Sequence, residues 1–137
     1  KDILLVCDEV QTGNGRTGSL YAWQQYGFTP DIMSTAKGLG GGLPIGACLF
    51  GEKTENTLTP GTHGSTFGGS PAVCAGALSI LGRIDEALLA QVRAKSEYLF
   101  SAFEGRPGIE QVSGLGLMIG IRTAKPAAEV VAKCMAR

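Results

Sequence analysis

Three short stretches of this chain carry residue types that could do chemistry. Asp8 directly follows the apolar run of residues 3–7, which places it at the carboxyl end of a strand, where open α/β sheets put their ligand crevices. An isolated Asp there is more often a helix or turn cap. The functional alternative is a buried carboxylate, which demands a cationic partner because an unpaired one is costly. Lys37 stands between Ala36 and Gly38-Leu39-Gly40-Gly41-Gly42, in an almost uncharged stretch of residues 32–50. Most lysines are solvated surface residues, but a desolvated ammonium loses its proton more easily and becomes a nucleophilic amine. The third stretch is His63-Gly64-Ser65-Thr66-Phe67-Gly68-Gly69. Its two hydroxyls and its backbone amides among glycines suit a phosphate or a carboxylate, although an ordinary turn can have the same composition.

The elements that must position these residues follow from hydrophobic periodicity. Residues 3–7 read as a strand buried on both faces, as in a parallel sheet. Residues 20–26 can form a short helix stopped by Gly27, and residues 31–35 a second strand, giving a β-helix-β unit over residues 3–35. A third strand is expected over residues 45–50. Ser70-Pro71 marks a helix start, with Ser as N-cap and Pro in the first turn, and Val73, Ala77, Ile80, Leu81 and Ile84 recur at helical spacing. Asp85 is expected to cap a second helix with a stripe of Leu88, Leu89, Val92, Leu99, Phe100 and Phe103, ended by Gly105 and Pro107. Two short strands, residues 109–112 and 117–121, flank Gly114-Leu115-Gly116, and a last helix begins at Pro126 and continues to Arg137. The Gly13-x-Gly15-x-x-Gly18 spacing is not a dinucleotide fingerprint, because Gln11 and Thr12 intervene after the strand and the motif should open directly into a helix.

Bulk composition removes several function classes. Lys plus Arg and Asp plus Glu are both 12 in 137 residues, so the basic excess of a nucleic-acid binder is missing. No apolar run approaches the roughly 20 residues needed to span a bilayer, and residues 1–5 lack the features of a signal peptide. The chain opens on an apolar strand without an initiator Met, as expected of a segment of a longer protein. Cys7, Cys48, Cys74 and Cys134 are scattered among apolar neighbours with no C-x-x-C pair. They are expected to be buried, reduced thiols of a cytoplasmic protein rather than disulfides, and with a lone His63 no metal-ligand spacing arises. The 21 glycines, about twice the usual share of roughly 7%, cluster at residues 13–18, 38–46 and 61–69, so they read as shaped loops.

Taken in order, the motifs identify a family. Asp8-Glu9-Val10-Gln11-Thr12-Gly13, Gly15-Arg16-Thr17-Gly18, Pro30-Asp31, Ala36-Lys37-Gly38-Leu39-Gly40-Gly41-Gly42, residues 63–69 and Gly114-Leu115-Gly116-Leu117-Met118-Ile119-Gly120 resemble the class III (omega) aminotransferases along essentially the whole chain. The resemblance implies an α/β fold, part of the fold type I large domain of pyridoxal 5'-phosphate (PLP) transferases plus the start of the small C-terminal domain. Residues 1–105 would form the C-terminal part of the PLP-binding large domain with connecting helices, and residues 106–137 the beginning of the small domain. It also implies roles. Lys37 resembles the lysine that carries PLP and moves the substrate proton, and Asp8 the partner of the pyridine nitrogen. Val10 would pack on a ring face and Gln11 would reach the phenolic oxygen. Thr66 resembles the threonine that holds the phosphate of the neighbouring subunit's PLP in a homodimer, and Ser65 a residue of the substrate site.

Within the family, residues 63–69 and Pro44-Ile45-Gly46 look more like acetylornithine and ornithine aminotransferases than 4-aminobutyrate ones. The expected reaction is transamination of N2-acetyl-L-ornithine with 2-oxoglutarate, in arginine biosynthesis. Rivals are an ornithine or 4-aminobutyrate aminotransferase, an aminomutase on the same scaffold, and a truncated, catalytically silent remnant. Joint retention of Asp8, Gln11, Lys37 and Thr66 argues against long-standing loss of function. Ser70 departs from the Asn usual before the Pro, and both are good N-caps. The family's N-terminal phosphate-cradling segment, its aromatic residue over the cofactor and its late arginine for the substrate carboxylate have no counterpart here. The 137 residues are therefore not expected to complete an active site.

Overall fold

In the computed structural model, which describes residues 2–136, the element order begins with β1 (Val6–Asp8), a short 3₁₀ helix (Ala22–Tyr26) and β2 (Ile32–Thr35). A second 3₁₀ helix (Lys37–Gly40) leads to β3 (Ala47–Phe50). β1 and β2 are parallel, with Val6 opposite Ile32 and Asp8 opposite Ser34, as the crossover reading requires. β3 returns antiparallel on the far side of β2, so the sheet is mixed, in the order β1-β2-β3.

The expectation of a strand over residues 3–7 buried on both faces does not hold. The strand spans only Val6–Asp8, and Ile3 and Val6 are 68% and 61% exposed. Among the described residues β1 has a strand neighbour on one side only, and no element covers its faces enough to take them out of water. The ladder still reaches back to Leu5, whose carbonyl accepts from the N–H groups of Asp31 and Ile32 at 2.9 and 3.2 Å and whose N–H donates to the Asp31 carboxylate at 2.8 Å. The first helix is a 3₁₀ turn rather than α, and it stops at Gly27 in the left-handed conformation (φ 70°).

α1 (Pro71–Leu81) starts where Ser70-Pro71 predicts, but the Ser70 hydroxyl makes no capping bond; its carbonyl accepts the Cys74 N–H at 2.9 Å. α2 (Glu86–Phe103) is capped as expected, the Asp85 carboxylate accepting the Leu88 N–H at 2.8 Å. Of its apolar stripe only Val92 is buried, and Leu88 is exposed. β4 (Ile109–Leu115) and β5 (Met118–Thr123) form an antiparallel hairpin, longer than the two expected strands, closed by Gly116-Leu117. α3 (Ala127–Met135) stops at Met135, with Ala136 as its C-cap, so the helix expected to run on to the end of the chain closes short of it; Arg137 lies outside the described residues.

Ala22, Met33, Leu39, Ala77 and Val92 are the buried apolar side chains among the described residues. Leu39 and Ala77 lie on the second 3₁₀ helix and α1, which pack on each other, while Val92 lies on α2, which packs on β4. A Cβ on Gly76 of α1 would come within 2.7 Å of Leu43, and one on Gly41 within 2.6 Å of Ile80. Such close approach seats α1 directly on the turn that begins at Lys37. The four cysteines are free, but none is buried: Cys48 and Cys134 are exposed, Cys7 and Cys74 half-buried. The expectation of buried thiols fails because β3 is mostly exposed and α3 buries no residue. Among the described residues no helix is long and apolar enough to cross a membrane.

Candidate active site

Side chains alternate along a strand, and this sets the two acids at the end of β1 to different tasks. Glu9 is buried, 3% exposed. Its carboxylate accepts the Trp23 N–H at 2.9 Å and the Thr12 hydroxyl, which closes the loop between β1 and the first 3₁₀ helix. Asp8 faces the other way and is exposed, which corrects the expectation of a buried carboxylate. Its Oδ1 accepts the Val10 N–H and the Ser34 hydroxyl, each at 3.0 Å. The Val10 N–H, then the Ser34 hydroxyl, hold its carboxyl below the ordinary carboxylate range, with the Lys37 charge acting in the same direction against a small effect of desolvation. Asp8 therefore stays an anion wherever the protein is near neutral pH.

Lys37 opens the turn after β2 and has a left-handed backbone, φ 47°. It is exposed rather than desolvated among the described residues. The parallel pairing of β1 and β2 brings the carboxyl ends of the two strands side by side. Asp8, Val10, Gln11 and Lys37 consequently line one cavity of about 250 Å³, with Met118 of β5 as its fifth wall. A larger cleft of about 760 Å³ shares Val10, Gln11 and Lys37 and extends past Arg16 to Leu88 and Val92 of α2. Arg16 and Lys37 are the charged residues lining that cleft, with no carboxylate among them, so it favours an anionic ligand.

Ser65 and Thr66 lie apart from this group. They belong to the exposed, irregular segment between β3 and α1 and line neither cavity. Sequence reasoning missed Ser34, which braces Asp8 across the ladder, and Met118, which closes the cavity from the hairpin. It also passed over Glu9 and Asn14 as functional positions, although the Asn in Gly13-Asn14-Gly15 carried a signal: Asn tolerates a left-handed backbone in turns.

The hairpin is held against the glycine-rich loop. The Leu117 N–H donates to the Arg16 carbonyl at 2.9 Å, and Arg93 of α2 donates to the Gly18 carbonyl at 2.6 Å. Gly116 (φ 58°) packs so closely that an added Cβ would lie 2.6 Å from the Arg16 carbonyl oxygen. Gly116→Ala is expected to destabilise the protein by about 2 kcal/mol or more, since an alanine pays for both the left-handed backbone and the clash. A denaturant melt of the variant checks this, and an unchanged midpoint would mean that the hairpin tip does not depend on the contact.

The residues present fit PLP. An ionised carboxylate suits a cationic ring nitrogen, a lysine amine on the same cavity suits an aldehyde, and Val10 and Gln11 supply an apolar face and an amide beside them.

Comparisons with known proteins point the same way. The family model described as aminotransferase class-III matches residues 1–137. An acetylornithine aminotransferase of Haemophilus ducreyi is 47% identical over 137 residues, covering 98% of this chain and 35% of that protein. The structure of an acetylornithine aminotransferase from Elizabethkingia anophelis superimposes with a TM-score of 0.85 at 34% identity, over 98% of this chain and 36% of that one. An ornithine aminotransferase from Toxoplasma gondii, described with partial occupancy of PLP at its active site, matches with a TM-score of 0.86 at 32% identity, over 98% and 34% of the two chains. The chain thus spans about a third of the length of the relatives it matches.

Proposed function

The chain belongs to the class-III aminotransferases, a PLP-dependent family of fold type I, and from that premise we propose that it carries the cofactor lysine of an acetylornithine aminotransferase. The reaction is N2-acetyl-L-ornithine plus 2-oxoglutarate to N-acetyl-L-glutamate 5-semialdehyde plus L-glutamate, a step of arginine biosynthesis in the cytoplasm. The observation that carries this reading is the shared cavity of Asp8 and Lys37 at the carboxyl ends of paired parallel strands. The substrate choice is supported by relatives named acetylornithine aminotransferase at 43 to 49% identity. Similar ornithine aminotransferase structures favour L-ornithine as the second reading.

PLP, when bound, supplies an electron sink for a carbanion next to nitrogen. Lys37 would hold it through Nζ, and that amine would be the group to hold and move the substrate proton as general base and acid. Asp8 keeps its charge through Val10 and Ser34 and would orient the ring nitrogen with a charge-assisted hydrogen bond. Val10 would supply an apolar face for the ring, and the Gln11 amide would be the donor for its phenolic oxygen. Thr66, outside the cavity of its own chain, would serve across a homodimer interface at the phosphate of the neighbouring subunit's PLP, and Ser65 would belong to the substrate site. We place the boundary between the PLP-binding domain and the start of the small domain at residues 105 and 106.

The test is glutamate formation by the PLP-loaded full-length protein with 2-oxoglutarate and each of three donors: acetylornithine, ornithine and 4-aminobutyrate. Acetylornithine is expected to be preferred by about tenfold or more in kcat/KM, the scale of discrimination that a group of this size permits. Equal or better turnover of ornithine would sink the substrate assignment and leave the cofactor assignment standing.

A further inference from the structure

Among the described residues only two that are not glycine hold a left-handed backbone, Asn14 (φ 57°) and Lys37 (φ 47°). Side chains crowd their own backbone in that region, so such residues persist where the surroundings over-determine them, and they gather at functional sites. Here the two are tied together. Asn14 Nδ2 donates to the Ala36 carbonyl at 3.1 Å and to the Thr35 hydroxyl at 3.2 Å. The Ala36 carbonyl also accepts the Leu39 N–H at 3.0 Å, the bond that closes the turn carrying Lys37. One side-chain amide therefore grips the last residue of β2 and the residue just before Lys37. Thr35 is 2% exposed, so water cannot readily replace the amide as a donor to its hydroxyl. Among the described residues Asn14 Oδ1 has no hydrogen-bond partner and is buried.

We propose that Asn14 is a positioning residue for Lys37: its amide holds the Thr35–Ala36 backbone so that Lys37 keeps its left-handed conformation and stays on the cavity that it shares with Asp8. This rests on the reading of Lys37 as the cofactor lysine. The clamp acts before any cofactor is present, so it is a property of the chain and is measurable without PLP.

Asn14→Gly separates the clamp from the backbone, since glycine takes the left-handed conformation freely but has no amide side chain. In the apo form of the full-length protein, hydrogen exchange at the Leu39 amide is expected to accelerate about tenfold through local opening. With PLP added, the Kd is expected to rise about tenfold, and the pH at which the cofactor absorption band titrates is expected to shift. Asn14→Ala is expected to match or exceed these changes. Thr35→Val, which removes one acceptor and leaves Asn14 in place, is expected to move the same readouts in the same direction by a smaller factor.

Wild-type exchange, Kd and band titration in Asn14→Gly overturn the proposal. So does a loss confined to Asn14→Ala, which would assign the effect to backbone strain. Should Asn14→Gly fail to fold, Thr35→Val decides alone, and wild-type behaviour there overturns the proposal too. Failure of the underlying reading looks different: borohydride would then fix PLP in the wild-type protein at a site other than Lys37.

Discussion

Lys37→Ala in the full-length protein is expected to leave no PLP fixed by borohydride and to lower turnover by at least about 10²–10⁴-fold, the contribution of a well-placed general acid and base. Among the described residues Lys53, Lys95, Lys125 and Lys133 line neither cavity, and Lys53 already pairs with Asp31 at 3.3 Å. Alanine also keeps the turn short of a side chain but not short of a Cβ, so the left-handed strain remains and the fold is little changed. Intact mass after reduction, with peptide mapping, is the direct readout. A variant that still carries reduced PLP in the same peptide region, at near wild-type turnover, would remove Lys37 from the chemistry.

Asp8→Ala is expected to raise the Kd for PLP about tenfold to a hundredfold, the range for losing one hydrogen bond to a charged group, and to slow turnover further. Asp8→Asn keeps the shape and loses the charge, so it should bind PLP better than the alanine variant yet remain slow. The pH dependence has a definite sign. The Val10 N–H and the Ser34 hydroxyl depress the carboxyl pKa of Asp8 in the folded protein. Whatever the ionised form contributes is present above the ordinary carboxylate value of about 3.9 and lost as pH falls through the lower folded value. Affinity for PLP should therefore show no limb from Asp8 between about pH 5 and pH 8. Fluorescence titration across that range checks it, and an Asp8-dependent loss of affinity near pH 6 would mean that its hydrogen-bonded, ionised state is misread.

Much of the site was legible because local chemistry dictates it. An apolar run ending in Asp8, the stop at Gly27 and the strand before Lys37 imply a parallel pair whose carboxyl ends lie together, and Asp8 pairs opposite Ser34 in β1-β2. Asp85 at the start of α2 was readable for the same reason, since a cap bonds to a backbone N–H three residues away. Ser70 shows the limit: its position was right, and its hydroxyl is idle. Exposure was the least legible property. The composition around Lys37 and residues 3–7 suggests burial, but burial depends on what covers a surface, and nothing among the described residues covers those.

By itself, the sequence determined the family, the cofactor lysine and its acidic counterpart as candidates, and the order of the elements, because ordered motifs and hydrophobic periods are properties of neighbouring residues. Only the tertiary structure decided that Glu9 braces the loop while Asp8 faces the cavity, that Met118 of a distant hairpin closes that cavity, and that Asn14 reaches across 22 residues to the Ala36 carbonyl before Lys37. Those relations join residues far apart in the chain, and no local pattern encodes a contact that exists only once two strands have paired and a hairpin has packed against them.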